Sequence, residues 1–230
     1  MKNITRWLRN LLIFFFTSTI LSVLILKYIP VYVTPLMLIR CVEAVIDGDT
    51  PQIRHHWVPL ERINHNLPQA VMASEDNLFL KHKGFDLEQI QKAQIEAQEG
   101  KRQRGASTIS QQTARNVFLW QNRSWLRKGL EAYFTFLIEA VWGKERIMEV
   151  YLNSIEMGRG IYGADAVARI NFATTADKLT KSQSAYIAVS LPNPRERDSG
   201  HPSSKMKKMH RTIMKRMNQI DTFPRDVCAR

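Results

Sequence analysis

A mostly α-helical domain tethered by one N-terminal transmembrane helix is the fold class the sequence predicts, on three observations. A basic tip precedes a long uncharged apolar run; apolar residues then recur at spacings of three and four between capping residues, Gly and Pro; and period-two strand patterns are almost absent. The 230 residues suffice for one domain with a sizeable core and an attached segment. Net charge is +12, and residues 100–130 contain no acid, which favours an anionic partner: a phosphate-bearing substrate, an acidic membrane surface or nucleic acid. Cys41 and Cys228 are too few for a disulfide framework, and their spacing fits no metal site.

Lys2, Arg6 and Arg9 come before any acid, and Asn10 to Leu26 is uncharged and almost wholly apolar. With Lys27 snorkelling and residues 28–33 continuing the apolar character, the run reaches the roughly 20 residues a bilayer requires. It is long for a signal-peptide core of about 7 to 15 residues, and no small-x-small site follows, so it reads as an uncleaved anchor. Positive charge ahead of the helix places the N-terminus in the cytoplasm and the rest across the membrane. The expected organisation is a cytoplasmic tip and anchor at 1–33, a membrane-proximal segment and connector at 34–57, and the working domain at 58–230. Thr34 to Ile46 suits either a helix lying on the bilayer or a buried helix of the domain. Asp47 to Trp57 reads as a connector, with His55 and His56 as surface residues.

After Asn66, Leu67, Val71, Leu78 and Phe79 form an apolar helical stripe, with Pro68 in the tolerant first turn. Glu75 lies on or beside that stripe, whereas Asp76 is turned about 100° from it, toward solvent. A carboxylate among apolar neighbours has its pKa raised and becomes a proton acceptor or donor near neutrality. Taken alone, the pair also fits two ordinary helix-end acids. Gly84 gives a turn, and Asp86 caps a helix from Leu87 to Glu99 with Ile90 and Ile95 inward. Residues 101–105 form a polar basic loop. Gly105 to Gln112 then opens a helix with small and hydroxyl side chains, so that a ligand can approach its free N–H groups; no Walker pattern is present.

Ser124 caps a helix running from Trp125 to Trp142, apolar nearly all round, which predicts the central buried helix. Glu131 sits in it, and its i,i+4 partner Arg127 allows a simple intrahelical pair as well as a site role. Further helices are expected over Lys144 to Leu152, over Ala164 to Arg169 after a glycine-rich turn, and after the Thr180/Gln183 capping box up to Pro192. The Arg195 to Arg216 tail reads as a closing helix with a basic outer face.

Five ordered strips between Asn66 and Asn193 resemble the monofunctional, membrane-anchored peptidoglycan glycosyltransferases. They are Glu75-Asp-Asn-Leu-Phe-Leu-Lys-His-Lys-Gly84, Gly105-Ala-Ser-Thr-Ile-Ser-Gln-Gln112, Arg127-Lys-Gly-Leu-Glu131, Lys144 through Ile147 to Tyr151-Leu-Asn153, and Arg159-Gly-Ile-Tyr-Gly163. The resemblance implies a lysozyme-like helical domain that polymerises lipid II into β-1,4-linked glycan strands and releases undecaprenyl pyrophosphate. It further implies that Glu75 is the general base for the acceptor's 4-hydroxyl, and that Glu131 assists departure of the pyrophosphate, with a divalent cation, Mg²⁺ or Mn²⁺, implicated in some members. Arg115, Arg123, Arg127 and Lys128 would hold the pyrophosphate, and Ser107, Gln111 and Gln112 would line the cleft. The implied partners are lipid II, the growing glycan chain, the bilayer and other cell-wall synthesis proteins, not nucleic acid. The implied place is the cell inner membrane, single-pass, with the catalytic domain periplasmic.

The chain departs from the family pattern in three places. Arg115 stands where lysine is common, exchanging a point charge for a planar fork. Ile170-Asn-Phe172 replaces an aromatic pair, and Glu156 lies in a plain connection with no catalytic assignment. Ser204 and Lys207 match an S-x-x-K spacing by chance, with no Lys-Thr-Gly following. The rival readings are a glycan-cleaving enzyme of lysozyme or lytic type and a tethered module that binds acidic lipid by charge alone. The first has no use for a pyrophosphate clamp beside Glu131; the second predicts no dependence on Glu75.

Overall fold

The computed structural model describes residues 2–100, 107–121 and 124–229; the basic loop expected at 101–105 and Arg123 lie outside them. Ten α-helices dominate the described residues. They are α1 (Lys2–Leu26), α2 (Pro35–Ile46), α3 (Asn66–Glu75), α4 (Leu87–Gln98), α5 (Ile109–Phe118), α6 (Trp125–Val141), α7 (Gly143–Ser154), α8 (Ala164–Phe172), α9 (Lys181–Ser190) and α10 (Ser204–Arg216). Three short strands, β1 (Arg54–His55), β2 (Glu156–Gly158) and β3 (Ile161–Tyr162), form a sheet in the order β1-β3-β2, parallel on one side of β3 and antiparallel on the other.

Local sequence explains most boundaries. Thr34, Asp86, Ser124 and Ser203 each accept a backbone N–H at the start of α2, α4, α6 and α10. Thr108 with Gln111, and Thr180 with Gln183, close full capping boxes on α5 and α9. Gly84 has φ +92°, and a Cβ there would stand 2.8 Å from Thr135 Cγ2, so only glycine lets the loop after α3 lie against α6.

The core is continuous from α3 and α9 through α5 and α7 to the C-terminal segment, with Leu67, Phe79, Ile109, Ile138, Tyr151 and Phe223 fully buried. Packing does not break where the anchor ends, because Val23 and Val31 belong to the same core. Polar contacts fix α1 on the domain as well. Trp142 Nε1 donates to the Val23 carbonyl at 2.7 Å, Arg146 donates to those of Leu26 and Ile29, and Thr19 Oγ1 lies 2.8 Å from the Tyr133 hydroxyl. Asn3–Leu26 is long and apolar enough to cross a membrane.

Several expectations are corrected. The helix from Trp125 is amphipathic, not buried all round: Glu131, Phe134, Thr135 and Ile138 face inward, while Trp125, Leu126 and Phe136 are exposed. α6 also packs against α1, and these exposed apolar groups lie outside the core. α4 buries no residue, and Ile95 is exposed, so this helix stands off the core. The near absence of strand signal missed the small sheet, whose strands of two or three residues are too short to show alternation. His55 pairs within that sheet and is half-buried, not a surface residue, whereas His56 is exposed as expected, with its Nδ1 2.8 Å from buried Asp165.

Candidate active site

Glu75 is the last residue of α3, and the chain leaves the helix at Asp76 in a non-helical conformation. The break turns Asp76 inward, correcting the solvent-facing position expected for it: Asp76 is buried. Its Oδ2 accepts the backbone N–H of Ile109 at 2.9 Å, at the first residue of α5, where the helix dipole favours an anion. His82 Nδ1 accepts from Gly84 N, so the proton sits on Nε2, which lies 2.9 Å from Asp76 Oδ1. Asp76 therefore joins the end of α3 to the start of α5.

With Asp76 inside, Glu75 faces a polar cleft of about 350 Å³ lined by Ser74, Asn77, Asp86, Gln89, Ser107, Thr108 and Arg216 among others. Gln112 Nε2 donates to Glu75 Oε2 at 3.0 Å, and the Tyr151 hydroxyl donates to Gln112 Oε1 at 3.3 Å. The Ser74 hydroxyl lies 3.2 Å from Glu75 Oε1 and 3.1 Å from the Ala188 carbonyl, and its single proton serves one of them at a time. Burial pushes the Glu75 carboxyl above its usual range, and nearby Asp76 adds to the shift. The donors Gln112 and Ser74 and the more distant Arg197 offset only part of it. No cation pairs directly with Glu75 among the described residues. It is a carboxylate held by neutral donors and open to a cleft, which suits accepting a proton.

Glu131 is placed differently. Its side chain is 1 % exposed, with Arg127 Nη1 at 3.3 Å and the Lys128 ammonium on its other oxygen. Both oxygens are occupied, and the simple ion pair allowed by the sequence is in fact a buried triad. Arg127 Nε and Arg115 Nε are buried without a hydrogen-bond partner, an arrangement that leaves guanidinium donors free for an anion. Glu131 thus holds Arg127 and Lys128 in place.

Of the other residues expected at the site, Ser107 lines the cleft and Gln112 holds Glu75. Gln111 is buried, and its carboxamide oxygen accepts the Thr108 N–H in the capping box, so its side chain builds the entry of α5. Arg123 lies outside the described residues. Sequence reasoning missed Tyr151 as the support of Gln112, although it lies in the fourth strip, and Arg216 as a cleft residue, for which no local signal exists. Glu156 is buried on β2 and accepts from Arg40 Nε at 3.1 Å, tying α2 to the sheet. Burial raises its carboxyl, and Arg40 and Arg195 oppose that.

No group of three or more His, Cys, Asp or Glu among the described residues could hold a metal ion. With both Glu131 oxygens taken by cations, the described residues offer no ready cluster of donors for Mg²⁺ or Mn²⁺.

Comparison with known proteins bears on this arrangement directly. Residues 43–218 match the family described as Transglycosylase. The chain is 58 % identical over 223 residues to the biosynthetic peptidoglycan transglycosylase of Bacteroides thetaiotaomicron, covering 97 % of this chain and 90 % of that one. It is 51 % identical over 195 residues to that of Caulobacter vibrioides, covering 83 % and 82 %. It is 45 % identical over 220 residues to that of Pseudomonas syringae pv. syringae, covering 96 % and 93 %. With a mostly helical, lysozyme-like domain, an N-terminal apolar helix and a match over that length, the chain belongs to the transglycosylase family.

Proposed function

We propose that Glu75 is the general base of a peptidoglycan glycosyltransferase that polymerises lipid II at the membrane surface. The family and the named relatives make the chain a peptidoglycan glycosyltransferase of cell-wall synthesis; the assignment of residues is our reading. Glu75 accepts the proton of the acceptor's 4-hydroxyl as that oxygen forms a bond to the donor's anomeric carbon, with inversion. The bond from that carbon to the lipid pyrophosphate breaks, and undecaprenyl pyrophosphate leaves with the electron pair. A positioned base contributes a factor of roughly 10²–10⁴.

Arg115, Arg127 and Lys128 stabilise the leaving pyrophosphate, with buried Glu131 fixing the last two. Arg123 belongs to the same basic run in sequence. A divalent cation finds no cluster of three donors among the described residues and would enter with the pyrophosphate oxygens. α1 anchors the enzyme in the inner membrane with its domain on the periplasmic side, and Trp125, Leu126 and Phe136 seat it where the lipid carrier lies. Other cell-wall synthesis proteins are expected partners on that face.

The observation that carries this reading is the Glu75 carboxylate, raised by burial and held by Gln112 at 3.0 Å on the wall of a polar cleft. Two incubations of purified full-length protein test it against strand cleavage: one with lipid-linked disaccharide-pentapeptide, one with preformed strands. Polymer in the first and intact strands in the second support it; shortened strands in the second overturn it in favour of a lytic enzyme.

A further inference from the structure

Resting on that reading, we infer that the exposed face of α10 is a binding track for the anionic glycan strand, gripped through the carboxylates of its stem peptides. α10 holds no Asp or Glu, and Lys205, Lys207, Lys208, Arg211, Lys215 and Arg216 are all exposed. Among the described residues none of the six makes an ion pair with an acid. At 100° per residue, Lys208, Arg211 and Lys215 fall within about 60° of one another, opposite the buried Met206 and Ile213, and Lys205 and Arg216 flank them at the two ends of the helix. From Lys205 to Arg216 the helix covers 12 residues, about 16 Å.

The track connects to the chemistry at one end. Arg216 is part of the wall of the Glu75 cleft, facing Ser107 and Thr108 from a different element. A strand engaged in that cleft has its next repeats beside the helix that carries Arg216. Each repeat bears a stem peptide ending in a free carboxylate, so the strand is a flexible polyanion, and unpaired cations along a straight helix suit it better than a single deep pocket. A bilayer is the other polyanion available. However, most exposed large apolar side chains are on α1, α2, α6 and the segment after α1, none is on α10, and the outward positions of α10 are Lys, Arg, Ser and Thr, with nothing to insert into acyl chains. α10 packs on α9 and α3, whereas α1 packs on α6.

The test is equilibrium binding of fluorescent, uncrosslinked glycan strands to full-length protein carrying Glu75→Gln, so that no strand is elongated. Adding Lys205→Gln, Lys208→Gln and Arg211→Gln together should weaken binding about tenfold at about 0.05 M salt, and the difference should vanish near 1 M, where the Debye length is about 3 Å. Lys205→Arg with Lys208→Arg, Arg211 being retained, should keep the full affinity. Strands stripped of their stem peptides should bind both proteins equally. Equal affinity for intact strands overturns the track, as does an equal drop for stripped strands. Loss of binding to phosphatidylglycerol vesicles with strand affinity unchanged moves the face to the membrane. Because the assay involves no turnover, its failure leaves the polymerase reading standing, and failure of wild-type polymerisation is a separate result.

Discussion

Two glutamates on helices that meet the same region of the fold have opposite surroundings. Glu75 ends its helix, keeps part of its surface in a cleft and is bonded by an amide and a hydroxyl. Glu131 sits in the second turn of α6, is sealed from solvent and has a cation on each oxygen. The difference teaches what each can do. Neutral donors orient Glu75 and leave its proton affinity high, while the triad at Glu131 spends its charge on fixing two basic side chains.

The largest effect expected from breaking this contrast is Glu75→Gln. Turnover should fall by roughly 10²–10⁴-fold, since the base is lost and the acceptor hydroxyl is a poor nucleophile. The melting temperature should hold or rise. A carboxyl whose folded pKa is raised favours folding fully below its unfolded pKa and loses that contribution as pH climbs through the folded pKa, so at neutral pH the neutral amide removes a cost. Calorimetry alongside turnover checks both halves.

Glu131→Gln comes next, with the signature reversed. Uncoupling a buried carboxylate from Arg127 and Lys128 should cost about 3 kcal/mol of stability and lower activity about a hundredfold, so the melting temperature falls with the rate. Arg127→Ala should raise the KM for lipid-linked substrate about tenfold, since a charge-assisted contact to pyrophosphate is removed along with a partner of Glu131. Steady-state kinetics in detergent separate KM from kcat.

Tyr151→Phe is the finest probe. It deletes only the hydroxyl that steadies Gln112, and should lower kcat by about threefold to tenfold with little change in KM. The pH profile should show the same centre from another side. Activity should be retained above the raised Glu75 pKa and decline as pH falls through it, at a pH higher than for an ordinary glutamate.

Much of this was legible in the sequence because it rests on local rules. The caps at Asp86, Ser124 and Thr180 follow from single side chains one turn away, and the anchor follows from composition. Glu75 stood out as a carboxylate among apolar residues. The inward turn of Asp76 was not legible, since it depends on α3 ending one residue earlier and on a helix N-terminus 33 positions away. Periodicity could not say which apolar face of α6 is buried and which stays exposed, because both read as apolar. Gln111 lies beside Gln112 in the same strip, yet the capping box takes one and the cleft the other, a division set by the 100° between neighbours. Arg216 enters the cleft from a helix more than 100 residues away, and only tertiary structure brings it there.

The most direct test of the central claim, that Glu75 is the proton acceptor in strand synthesis, is incubation of detergent-solubilised wild type and Glu75→Gln with lipid-linked disaccharide-pentapeptide, with and without a divalent cation, and separation of the products by size. Long strands from the wild type and none from a Glu75→Gln protein that still binds the lipid substrate is the result expected. Strands of equal length and yield from both proteins would contradict it.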